Sequence, residues 1–82
     1  MDLRKATELS VQYLQSFFPT AERIQLEEVD ITDDDRYWNI TLSYEAEEMG
    51  QGYLVLGKVR KYKIFKVDTY TGEIRSMKIR DM

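Results

Sequence analysis

The stretch Lys61–Ile79, KYKIFKVDTYTGEIRSMKI, decides the fold. It reads as two β-strands joined through Asp68-Thr69-Tyr70-Thr71-Gly72. The Asp68 carboxylate can accept hydrogen bonds from backbone N–H groups two or three residues on, and Gly72 can take the positive φ that closes such a hairpin. Asp68, Thr71 and Gly72 are therefore the structural residues of the turn. Phe65 and Val67 before it, with Ile74, Met77 and Ile79 after it, supply a face for burial.

Working outward, the strand before the turn covers about residues 59–68 and the one after it about 73–80. In the former both parities are partly apolar, Tyr62 and Ile64 on one and Phe65 and Val67 on the other. Either a bulge sits near Ile64 or part of the second face is covered. Upstream, Arg36 to Ala46 alternates most cleanly: Trp38, Ile40, Leu42 and Tyr44 face inward, while Tyr37, Asn39, Thr41, Ser43 and Glu45 face out. A first strand runs from Ile24 to Thr32. Its apolar residues change phase between Leu26 and Val29, and one extra residue at Glu27-Glu28 would return Ile24, Leu26, Val29 and Ile31 to one face, as a β-bulge does. Asp33-Asp34-Asp35 makes the turn between these strands.

Residues 2–18 read as an amphipathic helix. Asp2 is the N-cap, Leu3, Ala6, Leu9, Tyr13, Leu14, Phe17 and Phe18 share one broad arc with Val11 at its margin, and Pro19 stops it. A helix this short is not stable alone and must lie against something. The expected architecture is α+β, an N-terminal helix packed on one face of a four-stranded antiparallel meander, in αββββ order. Residues 47–58 are expected to form a variable loop.

Eighty-two residues make one domain, close to the size at which a single core only just suffices. With no cysteine and no histidine, the chain lacks thiolate chemistry, disulfides, the commonest metal ligand and the commonest general base at neutral pH. No apolar run approaches the roughly 18 residues of a membrane span, and the N-terminus MDLRKATELS lacks the apolar region of a signal peptide. This predicts a cytoplasmic protein without membrane contact, or a secreted one if a leader has been removed. The net charge of −3 conceals an asymmetry: residues 20–50 sum to −8 and residues 51–82 to +5. Acidic strands pairing with basic strands explain this most simply.

The chain resembles the PepSY-like domains, small cystatin-related α+β modules. The likeness rests on the early helical Ala6, the aromatic-rich Tyr37-Trp38-Asn39-Ile40, and the ending from Tyr62 through Phe65-x-Val67-Asp68-x-x-Thr71-Gly72-Glu73-Ile74. It implies the αββββ fold and a binding or inhibitory role, often toward peptidases.

Constellations that could carry chemistry are few. Consecutive aspartates at 33–35 diverge rather than converge on a cation. Glu45, Glu47 and Glu48 have no sign of the desolvation that tunes a general acid or base. Serines 10, 16, 43 and 76 have no histidine to activate them. Gly50-Gln51-Gly52 lacks the third glycine and following helix of a dinucleotide fingerprint. No enzyme activity, metal or cofactor is expected. The basic set Lys58, Arg60, Lys61, Lys63, Lys66, Arg75, Lys78 and Arg80, with Tyr62 and Tyr70, raises single-stranded nucleic acid as an alternative, but Lys61 and Lys63 alternate in phase with Phe65 and the whole chain is acidic. The favoured expectation is a protein-binding or inhibitory module. Its contact is Tyr53-Leu54-Val55-Leu56, an apolar run between Gly52 and Gly57, where an exposed patch would mark an interface. A structural homodimer is the third reading. If residues 47–58 instead prolong the two flanking strands, the same side chains are buried at home.

Overall fold

Helix α1 spans Leu3–Phe17, with Asp2 as its N-cap: the Asp2 carboxylate accepts from the Lys5 N–H at 2.8 Å. In this computed structural model, which describes residues 1–49 and 55–80, four strands follow: β1 (Glu22–Ile31), β2 (Tyr37–Met49), β3 (Val55–Asp68) and β4 (Ile74–Ile79). They form one antiparallel sheet in the order β1-β2-β3-β4. The chain is thus α+β in αββββ order, as the apolar periodicities require.

The helix lies across β2 and β3. Ala6, Ser10 and Leu14 form its buried line and meet Ile40, Leu42, Tyr44, Phe65 and Val67 of the sheet. Ser10 falls on this line although it is polar; its hydroxyl donates to the Ala6 carbonyl at 2.9 Å, so its burial leaves nothing unpaired. Tyr13 meets the edge of Phe65 with ring centroids 6.3 Å apart, and Phe18 stacks on Tyr44 at 5.8 Å.

The bulge expected at Glu27-Glu28 is present, between Leu26 and Glu28. It sets Leu26, Val29 and Ile31 opposite Leu42, Ile40 and Trp38, on the helix side of the sheet. A second irregularity, between Glu22 and Gln25 at Arg23 (φ +50), has no signature in the apolar pattern. In β3 the pairing with β2 is continuous past Ile64. Phe65 and Val67 are buried beneath the helix, whereas Tyr62 and Ile64 lie half-buried on the opposite face. The second-face alternative is the one realised. In β4 an extra residue, Arg75, separates Ile74 from Ser76 in the ladder with β3, which brings Ile74 and Met77 onto the core side.

Facing was legible from the alternation, but cover was not. Leu26 and Ile31 are half exposed, Ile79 is 74% exposed, Phe17 is exposed, and Trp38 is only half-buried. The expectation that Ile79 joins the buried face is therefore corrected. One helix about 10–12 Å across cannot cover four strands spaced about 4.8 Å apart, so the flanks of the sheet stay open.

The expected loop over residues 47–58 is also corrected at both ends, while its middle, residues 50–54, lies outside the described residues. Glu47–Met49 belong to β2 and Val55–Lys58 to β3, with pairing from Tyr37↔Asp68 as far as Met49↔Val55. A register shift between Glu48 and Met49 lies opposite Gly57, whose φ of +119 admits the bulge that an L side chain would resist. β1 first meets β2 at Glu22↔Glu45, and β4 last meets β3 at Lys63↔Ile79. Among the described residues, Ala46–Met49 and Val55–Val59 therefore pair only with each other. A thirteen-residue strand reaches about 44 Å and a fifteen-residue helix about 22 Å. That mismatch leaves a two-stranded ribbon projecting past the helix, in a molecule 48 × 22 × 17 Å in extent.

Candidate functional site

The two ends of the sheet differ in character. At the end beneath the helix N-terminus the β1–β2 and β3–β4 turns are stitched together. The Asp68 carboxylate accepts from the N–H groups of Tyr70 (2.8 Å) and Thr71 (3.0 Å), as the turn sequence predicts, and from Arg36 Nε at 3.2 Å. The Gly72 N–H donates to the Asp68 carbonyl, and Thr71 Oγ1 accepts from the Glu73 N–H. Thr69 donates through its N–H to the Arg36 carbonyl and through its hydroxyl to the Asp35 and Arg36 carbonyls. Asp34 organises the other turn by accepting from Thr32 Oγ1 at 2.6 Å and the Arg36 N–H at 3.0 Å. The aspartate run is thus spent on turn geometry. Among the described residues there is no group of three or more side chains placed to hold a metal ion.

The N–H groups of Thr71 and Tyr70, and after them the Arg36 guanidinium, hold the Asp68 carboxyl below the ordinary carboxylate range. Its folded-state pKa is lower than its unfolded one. The stability it contributes is therefore full above about pH 4–5 and is lost as pH falls through the folded-state value. Asp68→Asn keeps an acceptor for both N–H groups but removes the charge. The wild-type advantage over D68N in denaturant midpoint is expected to hold between neutral and mildly acidic pH and to shrink below about pH 4. A gap of constant size down to pH 3 would remove the carboxylate charge from the account.

The face of the sheet away from the helix carries a lattice of opposite charges. Glu22 meets Lys58 (2.8 Å), Glu45 meets Arg23 (2.6 Å) and Arg60 (3.7 Å), and Glu28 meets Arg80 (2.9 Å). The bond to Lys58, with its charge, lowers the Glu22 pKa. Thr41 and Ser43, expected to face solvent, do point to this side yet are buried under those long side chains. Ser43 donates to Glu27 and accepts from Arg60, and Thr41 accepts from Arg80 at 2.8 Å. Strand alternation could not reveal this cover, because it belongs to the aliphatic stems of charged residues on neighbouring strands. Three ion pairs thus join the acidic stretch to the basic one within the sheet.

Four of the eight cations raised for nucleic-acid contact, Lys58, Arg60, Arg75 and Arg80, are engaged with carboxylates. Lys61 and Lys63 lie on the helix side, and Lys66 and Lys78 on the other. The ring of Tyr37 is approached by Arg36 at 5.6 Å and Lys66 at 5.1 Å.

At the far end stands the ribbon. Of the proposed contact residues, Val55 and Leu56 have their backbone in β3, whereas Tyr53 and Leu54 lie outside the described residues. Its stem carries the half-buried Ala46 and Val59, cross-strand partners on the helix side. Glu45, the innermost of the three glutamates weighed for acid/base work, is held by Arg23 and Arg60. No protein-family model, no curated protein and no solved structure matches the chain.

Proposed function

We propose that this domain is a non-enzymatic, PepSY-like protein-binding module of inhibitory type, and that its contact element is the β2–β3 ribbon with the apolar run Tyr53-Leu54-Val55-Leu56. The observation that carries this reading is the projection of the ribbon beyond both flanking strands and the helix. A two-stranded ribbon without further cover is marginal in water. Among the described residues nothing pairs with its outer edges, which offer backbone groups of the kind that partner strands use. An apolar sequence at the end of such an element gains most by meeting another surface.

Single-stranded nucleic acid receives less support, because half of the basic set is already neutralised and the remainder is divided between opposite faces. A second copy of the chain remains one form that the protein partner can take.

Changing Leu54 and Leu56 together to Ser tests the ribbon. The expected outcome is an unchanged denaturant midpoint with loss of partner capture, or loss of dimerisation where the partner is a second copy. A double variant that unfolds, or whose midpoint drops steeply, would assign those leucines to the core and end this reading.

A further inference from the structure

Where β4 stops, at the C-terminal end of the helix, a cleft of about 420 Å³ opens on the helix side of the sheet. Its walls include Phe18, Tyr44 and Ile79, with Lys61 and Lys63 along one side. Three properties of this cleft matter together. Ile79 is 74% exposed and Phe18 36%, so apolar surface is available on both sides of the opening. Among the described residues neither Lys61 nor Lys63 has a carboxylate within ion-pair distance, as is also true of Lys66 and Lys78 on the opposite face, whereas Lys58, Arg60 and Arg80 each have one. Lys63 instead lies over the Phe18 ring, with its ammonium 5.2 Å from the centroid. The floor is the buried, neutral phenol of Tyr44, whose pKa burial raises above its ordinary value. Arg60 and Arg80 also border the cleft, but their guanidinium groups are held by Ser43, Glu45, Thr41 and Glu28 on the opposite face.

We infer that this cleft receives an extended acidic segment of a partner protein, with an apolar side chain between Phe18 and Ile79 and carboxylates on Lys61 and Lys63. Charge complementarity argues for the occupant: a free carboxylate would meet two cations that nothing described neutralises, beside an apolar seat. The strand edge adds a second argument. The Arg80 N–H reaches the Tyr62 carbonyl at 3.1 Å, and among the described residues no strand pairs with the β4-side edge of β3 from Lys61 back to Val55. A chain entering the cleft in extended form can continue along that edge. The helix itself has no basic residue in its last turn, and Lys63, over the ring of its C-cap Phe18, brings a positive charge toward the negative end of its dipole. A purely local role of that kind predicts no ligand dependence, and the experiment below separates the two.

The inference rests on the reading of the domain as a protein-binding module but not on the ribbon, and its test uses neither Leu54 nor Leu56. The probe is a fluorescein-labelled heptapeptide alternating glutamate with leucine, followed by anisotropy at low salt. Saturable binding is expected, weaker with glutamine in place of glutamate and absent with lysine. Lys61→Gln with Lys63→Gln should weaken binding roughly fivefold to tenfold. Lys66→Gln with Lys78→Gln removes the same charge from the opposite face and should leave affinity within about twofold. Ile79→Ser, at a site too exposed to affect folding, should weaken it roughly threefold or more. Asp81, next after Arg80 and outside the described residues, is tested as D81N, which should bind at least as tightly as wild type. Equal losses from the two lysine pairs, an unaffected I79S, lost binding in D81N, or no saturable binding would each overturn the proposal. A peptide that binds as expected to L54S/L56S would uphold the cleft whatever the fate of the ribbon.

Discussion

Phe65→Ala is expected to cost about 3–5 kcal/mol and to leave the domain largely unfolded at room temperature. Phe65 is fully buried at the centre of the sheet, opposite Ile40 on one side and Met77 on the other, with Tyr13 of the helix against its ring. Truncation removes the apolar transfer term and leaves a cavity that three separate elements would have to close. A domain of this size has only a few kcal/mol to lose. Denaturant unfolding followed by far-ultraviolet circular dichroism measures the loss. A cost under about 1.5 kcal/mol would mean that helix and sheet collapse onto the gap, and that the helix is less firmly seated than its buried line implies.

Gly72→Ala is the second large effect, expected at about 1–3 kcal/mol. The residue has φ +75, and its N–H closes the turn on the Asp68 carbonyl. An added Cβ would meet Leu9 Cδ1 at 3.2 Å and collide with the side-chain methyl of Met1. Two independent penalties thus fall on one methyl group: a backbone conformation that alanine resists, and a close approach of helix to turn. Met1 is flexible and exposed and can move away, whereas Leu9 is half-buried and has less room. Comparing G72A with G72A/M1A resolves the parts. If removing the Met1 side chain restores most of the stability, contact dominates; if it restores little, the cost lies in φ and Leu9. A G72A midpoint equal to wild type would contradict both.

The signals that could be read from the amino-acid sequence share one physical basis. Ile40, Leu42, Tyr44, Phe65 and Val67 announce themselves because strand period and burial agree at those positions. The bulge at Glu27 is visible because it interrupts that agreement and then restores it. Asp68 and Gly72 are visible because turn chemistry is local. What was hidden depends on width and reach. Leu26, Ile31 and Ile79 obey the period yet stay open, since nothing in their own neighbourhood records how far one helix extends sideways. Thr41 and Ser43 break the expectation in the other direction, buried by stems from strands distant in the chain. The irregularity at Arg23 involves a solvent-exposed stretch, Glu22-Arg23, with no apolar phase to disturb. As for the candidate site, the apolar run and its flanking glycines drew attention to residues 47–58. The extension of β2 and β3 into a projecting ribbon is not carried by those residues alone, but by where β1 begins and β4 ends.

That last dependence gives the ribbon a freedom of its own. Because the facing of a strand repeats every two residues, β2 and β3 can each gain or lose a pair of residues beyond Ala46 and Val59 without turning a core side chain outward. Each such step would change the reach of the tip by about 7 Å and leave the helix, the stitched turns and the charged lattice untouched. A change of one residue on a single strand would require another bulge, as Gly57 already provides opposite Glu48. The scaffold is built so that its length, and with it the distance spanned to a partner, can be altered in increments while the fold stays the same.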